Sequence, residues 1–119
     1  MASAESIIYG ALQTLAGGRV YPDLAPAPAT APWLTYTAVG GQAFPTVDGE
    51  APALRNARVQ VSVFAKSRAE AVAIMEQAFT ALVNPAVKAV PIGAPISTFE
   101  DDTLLYSSSL DFSVTFRIA

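Results

Sequence analysis

Few residues in this chain have the types and spacing to do chemistry. The densest group is Glu100, Asp101 and Asp102. Three consecutive carboxylates offer oxygens suited to magnesium or calcium, but the run lacks the spaced aspartates and central glycine of a calcium loop. A solvated hairpin turn is the simpler reading. Glu100 could work with Asp111 as an acid and base pair, yet no sequence feature brings the two to one cleft. Gly17-Gly18 and Gly40-Gly41 do not open a helix at the spacing a phosphate cradle needs, so both read as turns. Trp33 is the sole tryptophan and follows a proline spacer at the start of a strand, where burial at the sheet edge explains it better than ligand stacking.

The inventory closes most catalytic routes. With no histidine and no cysteine there is no thiol nucleophile, no Ser-His-Asp triad, no zinc site of the usual ligands and no thiolate-held iron-sulfur cluster. No enzyme, cofactor or metal site is expected. The lack of disulfide bracing suits a reducing compartment or an assembled particle better than a small secreted scaffold. The N-terminal segment carries Glu5 and no basic region, and no run approaches the roughly 18 apolar residues of a membrane span, so a soluble protein made in the cytoplasm is expected. Seven basic residues against ten acidic give a net charge of −3, and the basic ones are scattered. That balance argues against direct capture of nucleic-acid phosphates.

What remains is surface with little charge. A chain of 119 residues suits one domain, spanning residues 1–119, and of its 52% apolar residues 23 are alanine, which still leaves enough larger side chains for a core. Charged residues make up only 14%, against roughly 25% in ordinary soluble domains. Such a shortage leaves neutral surface, and neutral surface is often interface.

The elements that would position these residues follow from periodicity. Residues 3–16 read as an amphipathic helix capped by Ser3 and stopped by Gly17-Gly18, with Ile8, Leu12 and Leu15 on its apolar side. A short extended piece, 19–21, leads into the polyproline-like spacer 22–32. Residues 33–39 form a strand by their aromatic and threonine content. The stretch 40–56, with Pro45, Asp48-Gly49 and Pro52, has no period and reads either as a working loop or as a long hairpin arm. Phe44, Asp48, Glu50 and Arg55 are its candidate docking residues.

Residues 57–65 alternate cleanly, with Val59, Val61 and Val63 on one face and Arg58, Gln60, Ser62 and Phe64 on the other. At Ser67 the period changes to 3.6, where Ser67 and Glu70 form a capping box. The helix carries Val72, Met75, Phe79 and Leu82, widened by Ala71 and Ala78, and ends at Asn84-Pro85. Pro91, Gly93 and Pro95 make 87–95 a bent edge strand or loop, and 96–99 a short strand. After the acidic turn, Leu104, Tyr106, Leu110, Phe112, Val114, Phe116 and Ile118 alternate with polar residues, broken only by Ser108, which marks a long strand buried on one side. The expected fold is α+β, a mostly antiparallel sheet of four to five strands packed with two helices.

The polar sides of the two long strands carry Gln60, Ser62, Ser109, Ser113 and Thr115, neutral side chains in place of the lysine and glutamate of a freely solvated sheet. Two readings fit them equally: cover by a helix or solvent, or contact with another subunit.

The order of these patterns resembles the tail completion and tail terminator proteins of long-tailed bacteriophages and prophages. The resemblance spans nearly the whole chain and rests on Gly18-Arg19-Val20-Tyr21-Pro22 after the first helix, Pro32-Trp33-Leu34-Thr35-Tyr36, and Arg58 to Ala65 running into an alanine-rich helix. It closes with Asp101-Asp102-Thr103-Leu104-Leu105-Tyr106-Ser107 and Leu110-Asp111-Phe112-Ser113-Val114. It implies a structural protein of the virion tail, assembled in the bacterial cytoplasm, that caps the tail tube, stops its growth and joins it to the head connector. It also implies rings of copies, typically six-fold, with the tube and connector proteins as partners. Two other readings stand beside it: a small cofactor-independent enzymatic or ligand-binding domain, and a monomeric adaptor.

Overall fold

The computed structural model describes residues 3–44 and 46–118, and its framework is a five-stranded sheet with two helices on one face. Helix α1 (Ala4–Leu12) starts at a complete capping box: the Ser3 hydroxyl accepts the Ser6 N–H at 3.1 Å, and the Ser6 hydroxyl accepts the Ser3 N–H at 3.1 Å. It ends a turn earlier than its periodicity suggests. Residues Leu15–Gly18 form a tight 3₁₀ turn in which Ala16 and Gly17 take left-handed backbone angles (φ 51 and 65), so the chain reverses before a further α turn can close.

Strand β1 (Val20–Pro22) lies parallel to β2 (Trp33–Ala38), and the proline-rich spacer between them serves as the crossover that parallel neighbours need. The remaining strands are antiparallel: β3 (Leu54–Ala65), β4 (Val90–Glu100) and β5 (Leu105–Arg117), in the order β1-β2-β3-β5-β4. The architecture is α+β, as the patterning implies.

Helix α2 (Arg68–Leu82) packs beside α1 on the face made by Val59, Val61 and Val63 of β3 and Leu110, Phe112 and Val114 of β5. Ser67 caps it by accepting the Glu70 N–H at 3.1 Å, which is the forward half of the expected box. The buried stripe is Ala71, Ile74, Met75, Ala78 and Leu82. Val72 is not part of it: one residue on from Ala71 rotates the side chain by about 100°, out toward solvent. Each large side chain buried in this layer contributes about 1.5–3 kcal/mol, which makes the β3-β5 ridge against α2 the main source of stability.

Three boundaries differ from their expected places. The two pieces 87–95 and 96–99 fuse into one edge strand, with a bulge between Ile92 and Ile96 that absorbs the breakers. Strand β3 begins at Leu54, because Leu54 to Ala57 pair with Arg117 to Val114 although their own side chains do not alternate. Leu104 belongs to the turn and not to β5. Its N–H donates to the Glu100 carbonyl at 2.9 Å, its φ is 57, and its side chain is 68% exposed.

Ser108, the break in the alternation, sits opposite Val63 on the core face, 1% exposed, with a hydroxyl that has no hydrogen-bond partner. An unpaired buried hydroxyl costs about 1–3 kcal/mol. Ser108→Ala should therefore raise the thermal midpoint by a few degrees; a lower midpoint in calorimetry would show that the hydroxyl is used.

Candidate assembly interface

Both helices cover the same side of the sheet, so the opposite side, here the outer face, has no helix over it. The register lines up its side chains in rows across the strands. One row is Thr35, Ser62, Ser109 and Ile96, the next is Thr37, Gln60, Asp111 and Ile92, and the third is Arg58, Ser113 and Val90. All five residues singled out by sequence, Gln60, Ser62, Ser109, Ser113 and Thr115, fall on this face. Cover by a helix is the reading that the structure removes.

Four of the five are tied into side-chain hydrogen bonds. The Ser62 and Ser109 hydroxyls bond across β3 and β5 at 2.9 Å, and the Asn56 amide donates to the Ser113 hydroxyl at 2.8 Å and to the Thr115 hydroxyl at 3.1 Å. Arg58 Nε donates to Asp111 Oδ2 at 2.6 Å. An ion pair this exposed adds about 0–1 kcal/mol of stability. Its larger effect is to cancel the two charges on this part of the face. A fixed, nearly neutral array of hydroxyls and amides costs less to desolvate than lysines and glutamates would.

Sequence reasoning missed the apolar border of this face. Val90, Ile92 and Ile96 of β4 are 60%, 38% and 66% exposed and all lie on the outer side, the bulge inserting two residues so that the side-chain parity is kept. The signal was present as Val90, Ile92, Ala94 and Ile96 at every second position, masked by Pro91, Gly93 and Pro95 between them.

At one end the spacer folds over the outer face. Trp33 stacks on Phe64 with ring centroids 5.5 Å apart and planes 28° from parallel. It is partly buried there, floor to a half-open hollow of about 280 Å³ that spacer residues 23–29 help enclose.

The candidate docking residues are not all in the loop. Asp48 and Glu50 are exposed near the tip of a turn closed by Gly49 N–H to the Thr46 carbonyl at 3.3 Å. Asp48 accepts the Glu50 N–H at 3.2 Å, and that bond, followed by the Thr46 hydroxyl, holds its carboxyl below the usual carboxylate range. Phe44 is half-buried. Arg55 lies in β3, its guanidinium bonded to the Pro52 carbonyl, so it ties the loop to the sheet and does not project from the loop. Among the described residues no three His, Cys, Asp or Glu side chains cluster to hold a metal, and no helix is long and apolar enough to cross a membrane.

A sheet with its helices on one side and a hydrogen-bonded, charge-cancelled face with an apolar border on the other has the composition of an interface core. Residues 9–117 match the family model described as "Tail completion protein gp17", and the chain belongs to this family of phage tail completion proteins. Its role is accordingly structural, in the tail. No curated protein matches the chain.

Proposed function

We propose that the protein caps the finished tail tube and joins it to the head connector as a ring, with the outer sheet face as the contact between neighbouring copies. The observation that carries this reading is the pairing of a neutral hydrogen-bonded array with the exposed Val90, Ile92 and Ile96. The four strands β2, β3, β5 and β4, spaced about 4.8 Å apart and about 30 Å long, offer on the order of 600 Å², near the lower end of the roughly 600–1,000 Å² per partner of a stable interface. With Arg58 and Asp111 paired within one copy, a chain of net charge −3 can meet itself here without like charges opposing. In this reading the loop around Asp48 and Glu50 meets the tube or the connector.

Sedimentation velocity over a wide concentration range tests the contact. The wild-type protein should show a ring-sized species that grows with concentration, and the double variant Gln60→Lys, Ser113→Lys should remain monomeric because buried like charges cost several kcal/mol at an interface. Unchanged association of that variant would place the contact elsewhere.

A further inference from the structure

The hollow at the spacer end has an apolar floor and an acidic rim. Trp33 and Phe64 form the floor with Thr35, and Asp23 and Glu100 line it together with Leu24, Pro26 and Thr103. Around it two leucines are held out in solvent, Leu24 at 82% and Leu104 at 68% exposed. The adjacent backbone is strained: Asp23 (φ 61) and Leu104 (φ 57) are both left-handed without being glycine. Asp23 is the centre of a three-residue turn closed by the Leu24 N–H on the Pro22 carbonyl at 2.6 Å, and its own N–H is fixed to the Tyr36 carbonyl at 2.9 Å. The turn thus sets a carboxylate on the hollow and a leucine beside it.

We propose that this hollow is a docking site for an extended segment of another protein that carries a lysine or arginine between apolar residues. The choice of occupant follows from charge complementarity. A side chain with an apolar stem and a cationic head places the head between Asp23 and Glu100 and the stem over the stacked rings, which attract cations through their faces. Asp101 and Asp102 follow Glu100 in the turn and add negative charge, against a nearby cation, Lys66, which lines the neighbouring hollow past Trp33 and Thr103. Among the described residues none of these four carboxylates is in an ion pair, the sole one being Arg58 with Asp111. The apolar neighbours of the cation would cover Leu24 and Leu104. The hollow borders the first of the polar rows at Thr35, but binding of a peptide to a single copy does not depend on ring formation.

Trp33, as the sole tryptophan, reports directly on the floor. The probe is an acetylated, amidated hexapeptide of alternating leucine and arginine, with its leucine–glutamate counterpart as control. The basic peptide should change Trp33 emission saturably and the acidic one should not. Asp23→Asn with Glu100→Gln should weaken binding by about tenfold or more, the loss of about 1.4 kcal/mol or more, whereas Asp101→Asn with Asp102→Asn, which removes the same charge beside the hollow, should weaken it less. Asparagine tolerates the left-handed backbone of Asp23, and Glu100→Gln alone carries the test if the double variant does not fold. No response to the basic peptide, equal response to both peptides, or equal losses in the two double variants would overturn the proposal.

Discussion

Replacing Phe112 by alanine should remove about 3–5 kcal/mol of stability, the range for truncating a fully buried aromatic in a packed core. Phe112 is 0% exposed, sits on β5 opposite Val59 of β3 and Pro91 of β4, and meets Phe79 of α2 with ring centroids 6.3 Å apart. It joins three strands and a helix, so no single neighbour can move to fill the space. Against a total of about 5–15 kcal/mol for proteins of this kind, the loss would bring unfolding close to ambient conditions. Urea titration followed by circular dichroism measures it. A loss under about 1 kcal/mol would mean that the layer between sheet and helices can collapse freely, contrary to its packing.

Gly41→Ala should cost about 2–4 kcal/mol, by adding overpacking to an unfavourable backbone angle. A Cβ at Gly41 would strike the Asn56 carbonyl oxygen and come within 2.8 Å of the Ala57 Cα, and the φ of 148 is one that L residues rarely adopt. Both obstacles are backbone atoms of β3 held in register with β5, so relief must come from the loop. Lifting it would break the Arg58 N–H bond to the Gly40 carbonyl (2.7 Å) and the Gln42 N–H bond to Asn56 Oδ1 (2.9 Å). Gly40 is the control: its φ is 109 but a Cβ there meets nothing within 4 Å, so Gly40→Ala carries the backbone strain alone. Hydrogen exchange at the Arg58 and Gln42 amides separates the two variants. Equal behaviour would show that the start of the loop is not seated against β3.

The two long strands, the second helix and the face carrying Gln60, Ser62, Ser109, Ser113 and Thr115 were legible because period-two and period-3.6 patterns are direct traces of burial. The tail completion family was legible too, from the order of motifs, and the family match covers residues 9–117. Other features are set by partners far away in sequence. Leu54 to Ala57 are a strand only because β5 lies beside them, and Arg55 is a tether only because Pro52 presents its carbonyl. Asp23 and Glu100 come together because a parallel β1 sends the spacer back over Phe64, and nothing local in either segment encodes that meeting. The apolar border of β4 was hidden for a different reason, since Pro91, Gly93 and Pro95 are strong local signals that outweighed a true alternation.

Those same breakers give β4 a second property. It is the last strand of the sheet and eleven residues long, the kind of edge on which foreign strands nucleate and fibres grow. Pro91 and Pro95 have no N–H to offer an incoming strand, and between Ile92 and Ile96 the backbone bows out of register. A newcomer zipping along this edge would meet two gaps and a bend within six residues. The protein can thus keep valine and isoleucine in solvent at the crowded concentrations of particle assembly with its sheet guarded against amyloid-like growth.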